Sequence, residues 1–460
     1  MSWIEELSTQ LSGQVLTDDA TRDALATDFG HYVFRKPAAV VRPASAEDVS
    51  KVMKLASREG LAVATRGSGH SQTGQSLSND IVLEMASLGA IHDLDEGAGA
   101  IVCGGGAKWR ALVESLLPRN FAPMVLTNNL DTAIGGTLST SGLGVASWKY
   151  GTQADNVLEL EVVTGTGEVV RCSPDENKDL FDSVRGGMGQ FGVITEAKLK
   201  LRRVQPKFRS FYLLYDDFAV LLKDLEVSMD EERFDYLESW CVPCAQGFKT
   251  IGGQRQAFAQ WFYPLHATIE TDGAVSAETV ERKLHGLKFY KHVHTEDGNL
   301  GDFYARLDPL FAIWKRTGAW EFTHPWMECV LPWNTTALYI GQVLQNMPPQ
   351  AIVGGHILLW PGRGSASSVP LFMRPETQYV MGFGILPAIP QKFFEEALPR
   401  LGMASVASMM MGGKRYLSGW IAFDHAQWKS HYGPKWETVL AMKKKFDPKG
   451  VLNPGFVKYG

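Results

Sequence analysis

The chain has 460 residues, 45% hydrophobic and 21% charged, with 45 Lys plus Arg against 50 Asp plus Glu for a formal net charge of -5. That length and apolar share provide for two or three packed units with a sizeable core. The acidic balance offers no basic footprint for nucleic acid or for an anionic membrane, so neither is expected as a partner.

The N-terminal residues carry neither the basic nor the apolar stretch of a secretory signal. No run of about 18 apolar residues is present, so no membrane span is expected. Residues 1–35 read as one or two helices, with Ser8 or Thr17 as the N-cap. Residues 38–43 read as a short strand closed by Pro43. Ser45 caps a helix whose apolar positions Val49, Val52, Met53, Leu55 and Ala56 recur at helical spacing. Residues 61–65 read as the next strand, so strand, helix and strand form a parallel crossover.

That strand runs directly into Arg66-Gly67-Ser68-Gly69-His70-Ser71. Alternate glycines permit a close backbone approach to a ligand, and successive free N–H groups make a nest for phosphate. A tight turn is the plainer reading of these six residues alone. Strands follow at 81–85 and 101–103, then a helix at about 107–117. The stretch 127–151 is polar, glycine-rich and read as irregular. It holds a second cluster, Gly135-Gly136-Thr137-Leu138-Ser139 with Gly142 and Gly144. A strand at 157–163 turns at 164–167 into another at 168–171, a short helix covers 179–184, and a third glycine cluster, 186–192, precedes a strand at 193–201. Three separate clusters suit a large ligand with a pyrophosphate and a flat ring system better than three unrelated turns.

Beyond about Pro206 the texture changes. Glycine thins, helices are expected near 217–230 and 271–287, and Trp240, Trp261, Trp314, Trp320, Trp326, Trp333 and Trp360 accumulate. These side chains either pack a core or wall a flat apolar pocket. From about Leu417 the chain reads as helical again. The five cysteines are sparse and odd in number, which points to reduced thiols and a cytoplasmic setting. Cys241 and Cys244 have redox-motif spacing without a second pair, and read as two packed thiols.

Residues 41–201 resemble the flavin-binding domain of the vanillyl-alcohol oxidase superfamily, and within it the cytokinin dehydrogenases. The resemblance rests on Arg66 to Ser71 with Gly74 and Gln75, on Gly135 to Ser139 with Gly142, and on the stretches 156–168, 177–181 and 189–195. His324-Pro325-Trp326, 432–436, 446–448 and Leu452-Asn453-Pro454-Gly455 extend it toward the C-terminus. It implies an α+β fold in which 1–205 and a returning 416–460 bind FAD, while 206–415 form a substrate domain of antiparallel sheet and helices. It also implies FAD joined covalently through His70, with a single link, because no cysteine lies between Cys103 and Cys172. The implied cofactor contacts are Arg66, Gly67, Ser68, Gly69, His70, Ser71, Gln75, Gly135, Gly136, Thr137, Ser139, Gly142, Leu143, Gly192, Ile194 and Asn453.

The implied activity is hydride transfer from a substrate C–H next to N or O to the flavin, followed by reoxidation by oxygen or another acceptor. An alcohol, a sugar or a natural-product intermediate is the alternative substrate class, and a flavin-bearing scaffold without net oxidation is the alternative role. The sequence does not indicate an oligomeric state. One departure stands out. Where the family carries an aspartate ahead of its Gly-Gly-Thr-Leu-Ser loop, this chain has Asn128. An amide cannot act as a general base. The base therefore comes from elsewhere, with Asp131 nearby in sequence, or the substrate needs none, or the substrate differs. His324, Glu328 and Tyr416 are further site candidates, and Trp326, Trp360 and Tyr416 are expected to line the substrate pocket.

Overall fold

A computed structural model describes residues 2–347 and 355–460, apart from the side chain of Ile251. The first sheet is built around the expected crossover. Ala39–Arg42 and Val63–Arg66 both pair in parallel with Ile81–Glu84 between them, and Gln14–Leu16 adds an antiparallel edge. Helix Ala46–Glu59 connects the first two parallel strands. Ser45 accepts a hydrogen bond from the Asp48 N–H, and Gly60 ends the helix at φ 73°. Its stripe Val49, Val52, Met53, Leu55 and Ala56 is fully buried against the sheet. At the N-terminus the caps are Ser2 and Asp18 rather than Ser8 or Thr17, because helices Trp3–Gln10 and Asp19–Ala24 each start just after them.

The second sheet is antiparallel, in the order Ala100–Gly104, Gly192–Arg203, Val157–Thr164, Val169–Cys172, with Phe121–Pro123 also on Gly192–Arg203. The stretch expected to be irregular contains helices Ile134–Thr140 and Ser147–Tyr150. Glycines at 135 and 136 argue against a helix by propensity. Here Gly135 allows it to press against the Gly105 carbonyl, 3.0 Å from where a Cβ would sit.

The third sheet has eight antiparallel strands: Lys291–Asn299, Lys207–Tyr215, Gln254–Thr271, Tyr236–Ile251, His356–Arg363, Tyr379–Leu386, Met327–Pro332 and Lys414–Arg415. Side chains alternate between its faces. Ile357, Leu359, Met381, Phe383, Ile385, Met327, Cys329 and Leu331 pack beneath helices Phe218–Asp230, Trp333–Asn346 and Phe394–Met410. The intervening residues Glu328, His356, Leu358, Trp360 and Leu386 face the other way, toward a cleft. The helix expected at 271–287 is confined to Ala277–Leu284, because the preceding strand runs through Thr271.

Cys241 is buried and Cys244 exposed, and all five cysteines are free. Three residues apart on an extended strand, the two thiols leave on opposite faces and form no redox pair. Among the described residues no helix is long and apolar enough to cross a membrane.

Candidate functional site

The cleft encloses about 1590 Å³ counting its open mouth. Its lining comes from all three glycine clusters and from the third sheet. Its floor is the loop that leaves Val63–Arg66 at the carboxyl end of the parallel strands, where such sheets bind ligands. Gly67, Ser68, Gly69, His70, Ser71 and Gln75 line it from this loop. Gly135, Gly136, Thr137, Ser139, Gly142 and Leu143 line it from the second glycine cluster, and Gly192, Ile194 and Asn453 complete the wall.

Gly69 has φ +68°, and a Cβ there would lie 2.5 Å from the Arg66 guanidinium. Only glycine fits that position. Arg66 itself does not line the cleft. Its guanidinium packs under the loop and donates to the Thr27 carbonyl at 2.9 Å, so it braces the loop from behind. Asp28 does the same from another side, accepting from Ser71 Oγ at 2.9 Å, the Gly74 N–H at 2.7 Å and the Gly30 N–H at 3.1 Å.

Held this way, the backbone N–H groups of Ser68, Gly69, His70 and Ser71 donate to no acceptor among the described residues. Four free donors in one tight loop form an anion nest. Gln72 Oε1 is buried and unpartnered at the same wall. A Cβ on Gly136 would meet nothing within 4 Å, which leaves that face open. The donor set and the open glycine face fit a pyrophosphate-bearing cofactor such as FAD.

His70 faces the cleft with its ring between Phe29, at 4.3 Å between centroids, and Trp326, at 5.5 Å. Burial, reinforced by nearby His324, pushes its pKa down to about 3. The imidazole is therefore neutral at pH 7. Neither ring nitrogen makes a hydrogen bond among the described residues, so a lone pair remains available.

An apolar part of the wall comes from Leu307, Phe311, Trp326, Leu358, Trp360 and Leu386, and Tyr416 and Ser418 also line the cleft. The expected substrate-side residues Trp326, Trp360 and Tyr416 are all in this wall. Trp360 Nε1 is buried without a partner.

The three expected catalytic residues separate. Asn128 lines the cleft, but its amide is committed. Nδ2 donates to Glu238 Oε1 at 2.9 Å, and Oδ1 accepts from Arg306 Nη2 at 2.6 Å. Asp131 is outside the cleft lining, engaged by Arg110 at 2.9 and 3.1 Å. That pairing holds its carboxyl below the usual aspartate range, which corrects the expectation that it replaces the missing base. His324 is also outside. It is 0% exposed, stacked on Phe29 at 4.0 Å and 4°, with both ring nitrogens 3.2 Å from carbonyl oxygens of Pro387 and Trp320. A His before Pro-Trp here braces the wall behind Phe29 and is no base in the cleft.

The sequence reading missed the Glu238–Arg306 pair and His356. Burial would raise the Glu238 carboxyl, but Arg306, His266 and the donors Asn128 and Trp240 outweigh it and hold the pKa below the usual range. A lone Glu between Leu237 and Ser239 in an apolar strand was the available signal. Replacing Asn128 by alanine removes both amide hydrogen bonds while Arg306 stays 3.3 Å from Glu238. The expected cost is about 1–3 kcal/mol, read as a lower urea midpoint. A midpoint unchanged from wild type would show that this clamp contributes nothing.

Residues 37–173 match the sequence family described as "FAD binding domain", and residues 206–457 match "Cytokinin dehydrogenase 1, FAD and cytokinin binding". Cytokinin dehydrogenase 3 of Oryza sativa subsp. japonica is 32% identical, over 95% of this chain and 89% of that protein. "Uncharacterized oxidoreductase ORF5 in fasciation locus" of Rhodococcoides fascians is 29% identical, over 97% of this chain and 99% of that protein. Among solved structures, 6-hydroxy-D-nicotine oxidase from Arthrobacter nicotinovorans has the same fold, with a TM-score of 0.72 at 21% identity and 98% of both chains covered.

Proposed function

This chain belongs to the family of FAD-dependent cytokinin dehydrogenases, and from that premise we propose that it oxidises a flat, largely apolar secondary amine of the cytokinin type at the C–H next to nitrogen. As an oxidoreductase it acts on a small molecule and passes electrons to an acceptor. The observation that supports this substrate class is the apolar slot of Trp326, Leu358, Trp360 and Leu386, continuous with the glycine-lined end of one cleft. A planar ring buries well between aromatic and aliphatic walls.

Bound FAD supplies the two-electron acceptor for the hydride that leaves the substrate carbon. The nest at 68–71 would hold the pyrophosphate, and the loops at 135–143 and 192–194 would close on the rest of the cofactor. His70, neutral and with a free ring nitrogen, would carry the covalent link. Trp326 and Trp360 would orient the substrate ring and exclude water. We divide the labour as 1–205 with 416–460 for the cofactor and 206–415 for the substrate, since the cleft is lined from both groups. Free thiols throughout support a cytoplasmic setting, and the net charge of -5 supports a reading without nucleic acid.

Oxidation at that carbon gives an imine, which water hydrolyses to an aminopurine and an aldehyde. Aerobic incubation with isopentenyladenine is expected to release adenine, read by chromatography. Adenine at the level of a boiled control would overturn the cytokinin reading. The amide at 128, where the family carries a carboxylate, favours a second reading in which the substrate is an alcohol or sugar, and consumption of those with the purine amine untouched would establish it.

A further inference from the structure

Among the described residues that line the cleft, Glu328 is the one carboxylate, and no Lys or Arg lines it. Strand alternation puts it there, since Met327 and Cys329 point into the helix-covered core. In the register, Glu328 and Leu358 both lie opposite Gly384, which has no side chain to fill the space between them. Ser418 Oγ donates to Glu328 Oε2 at 2.6 Å. The other carboxyl oxygen has no hydrogen bond among the described residues. The competing groups are excluded by geometry or chemistry. The Asn128 amide is tied to Glu238 and Arg306, and Asp131 is paired with Arg110 outside the cleft. His356 lines the cleft, but burial pushes it down to about 4 and leaves it a weak base.

We infer that Glu328 is the general base of this cleft, accepting the proton of the substrate N–H as the hydride leaves the neighbouring carbon. The N–H bond breaks and an O–H bond forms on the carboxylate. The nitrogen electron pair forms the C=N bond, and the C–H electron pair leaves with its hydrogen as hydride to FAD, which is reduced by two electrons. This role rests on the proposed amine oxidation.

Burial raises the Glu328 pKa to about 7, with Ser418 and Arg415 pulling it back. The neighbouring groups do not disturb that value near neutrality. Arg415, on the edge strand, spends its guanidinium on the Glu328 main-chain oxygen at 2.8 Å, on Ser405 Oγ and on the Trp420 carbonyl. Tyr416 and Cys329 are both pushed upward by burial and stay neutral, and His356 is neutral above about 4. A base titrating near the working pH is the effective kind, and such a group contributes on the order of 10²–10⁴ in rate.

The test is the rate of anaerobic flavin reduction by isopentenyladenine as a function of pH. In the wild type it is expected to rise tenfold per pH unit below about 7 and to level above. Glu328→Gln, yellow and folded, is expected to lose that limb and to be slower by on the order of 10²-fold or more. Ser418→Ala removes a donor that stabilises the carboxylate, so its limb is expected to move to higher pH. An infrared titration should show a protonated-carboxyl band that disappears near pH 7 and is missing in Glu328→Gln, while the band of Asp28, raised by burial to about 6, remains in both proteins. A Glu328→Gln enzyme with the wild-type rate and limb, or a limb unmoved in Ser418→Ala, overturns the role while amine oxidation stands. A wild-type flavin that dithionite reduces and the amine does not overturns both.

Discussion

Acid precipitation of the His70→Ala protein is expected to leave a colourless pellet and a yellow supernatant, while the wild-type pellet stays yellow. The expectation follows from the environment of the ring. Enclosed by Phe29 and Trp326 and held at a pKa of about 3, His70 keeps a free nitrogen lone pair at neutral pH. The residues that place it, Arg66 and Asp28, act from behind the loop and remain in the variant. Non-covalent FAD is therefore expected to bind through the 68–71 nest. The second effect is on the flavin potential, which falls when the link is lost, and each 30 mV in a two-electron couple is about tenfold in the equilibrium constant. Flavin reduction by substrate should slow accordingly. A yellow His70→Ala pellet would place the attachment elsewhere, and a wild-type pellet without colour would show that FAD is held by contacts alone.

Glu238→Ala is expected to be the most destabilising single change at the site. Glu238 is 2% exposed and accepts from Asn128 Nδ2 at 2.9 Å, Trp240 Nε1 at 3.3 Å and Arg306 Nη2 at 3.3 Å. Removing the carboxylate leaves the Asn128 and Trp240 donors unpaired and strips the Arg306 guanidinium, largely out of water, of its counter-charge, with the Asn128 amide oxygen still accepting from it at 2.6 Å. Breaking a buried pair in this way costs about 3–5 kcal/mol. Glu238→Gln retains a carbonyl acceptor of similar shape and should cost clearly less. Thermal or urea unfolding of the two variants decides the matter. Equal, small losses in both would mean that Arg306 finds another partner and that the charge at 238 is immaterial. The same pair fixes the Asn128 amide at the cleft wall, so Glu238→Ala is also expected to weaken substrate binding more than Glu238→Gln.

The cofactor end of this cleft was legible in the sequence because its determinants are local. Arg66 to Ser71 lies within six residues directly after a strand, and Gly135 to Leu143 forms a second compact run, so loop chemistry could be read without knowing the fold. What failed there was orientation. Nothing in the spacing says that the Arg66 side chain turns away from the ligand to support Gly69. The glycine-rich stretch also concealed a helix at Ile134–Thr140, since propensity disfavours glycine in helices while tertiary packing against Gly105 favours it.

The substrate end was far less legible. Glu238, Arg306, Glu328, His356 and Ser418 are separated by tens of residues along the chain; the register of one antiparallel sheet places Glu238, Glu328 and His356, while Arg306 and Ser418 reach the site from segments outside its strands. Asp131 and His324 attracted notice by position in the chain, yet an ion pair with Arg110 and a stack on Phe29 take them out of the chemistry. Glu328 carried a weaker signal, a single acid inside the run Met327-Glu328-Cys329-Val330-Leu331. Alternation in a buried strand turns such a residue away from the core, here into the cleft.

Mixing the purified protein with isopentenyladenine in the absence of oxygen, and following the visible flavin absorption, tests the central claim most directly. Prompt bleaching is the predicted result, since the cleft joins a cofactor nest to an apolar slot that contains one carboxylate. A flavin that stays oxidised with the amine, yet is reduced by dithionite, would contradict the assignment of a cytokinin-type substrate.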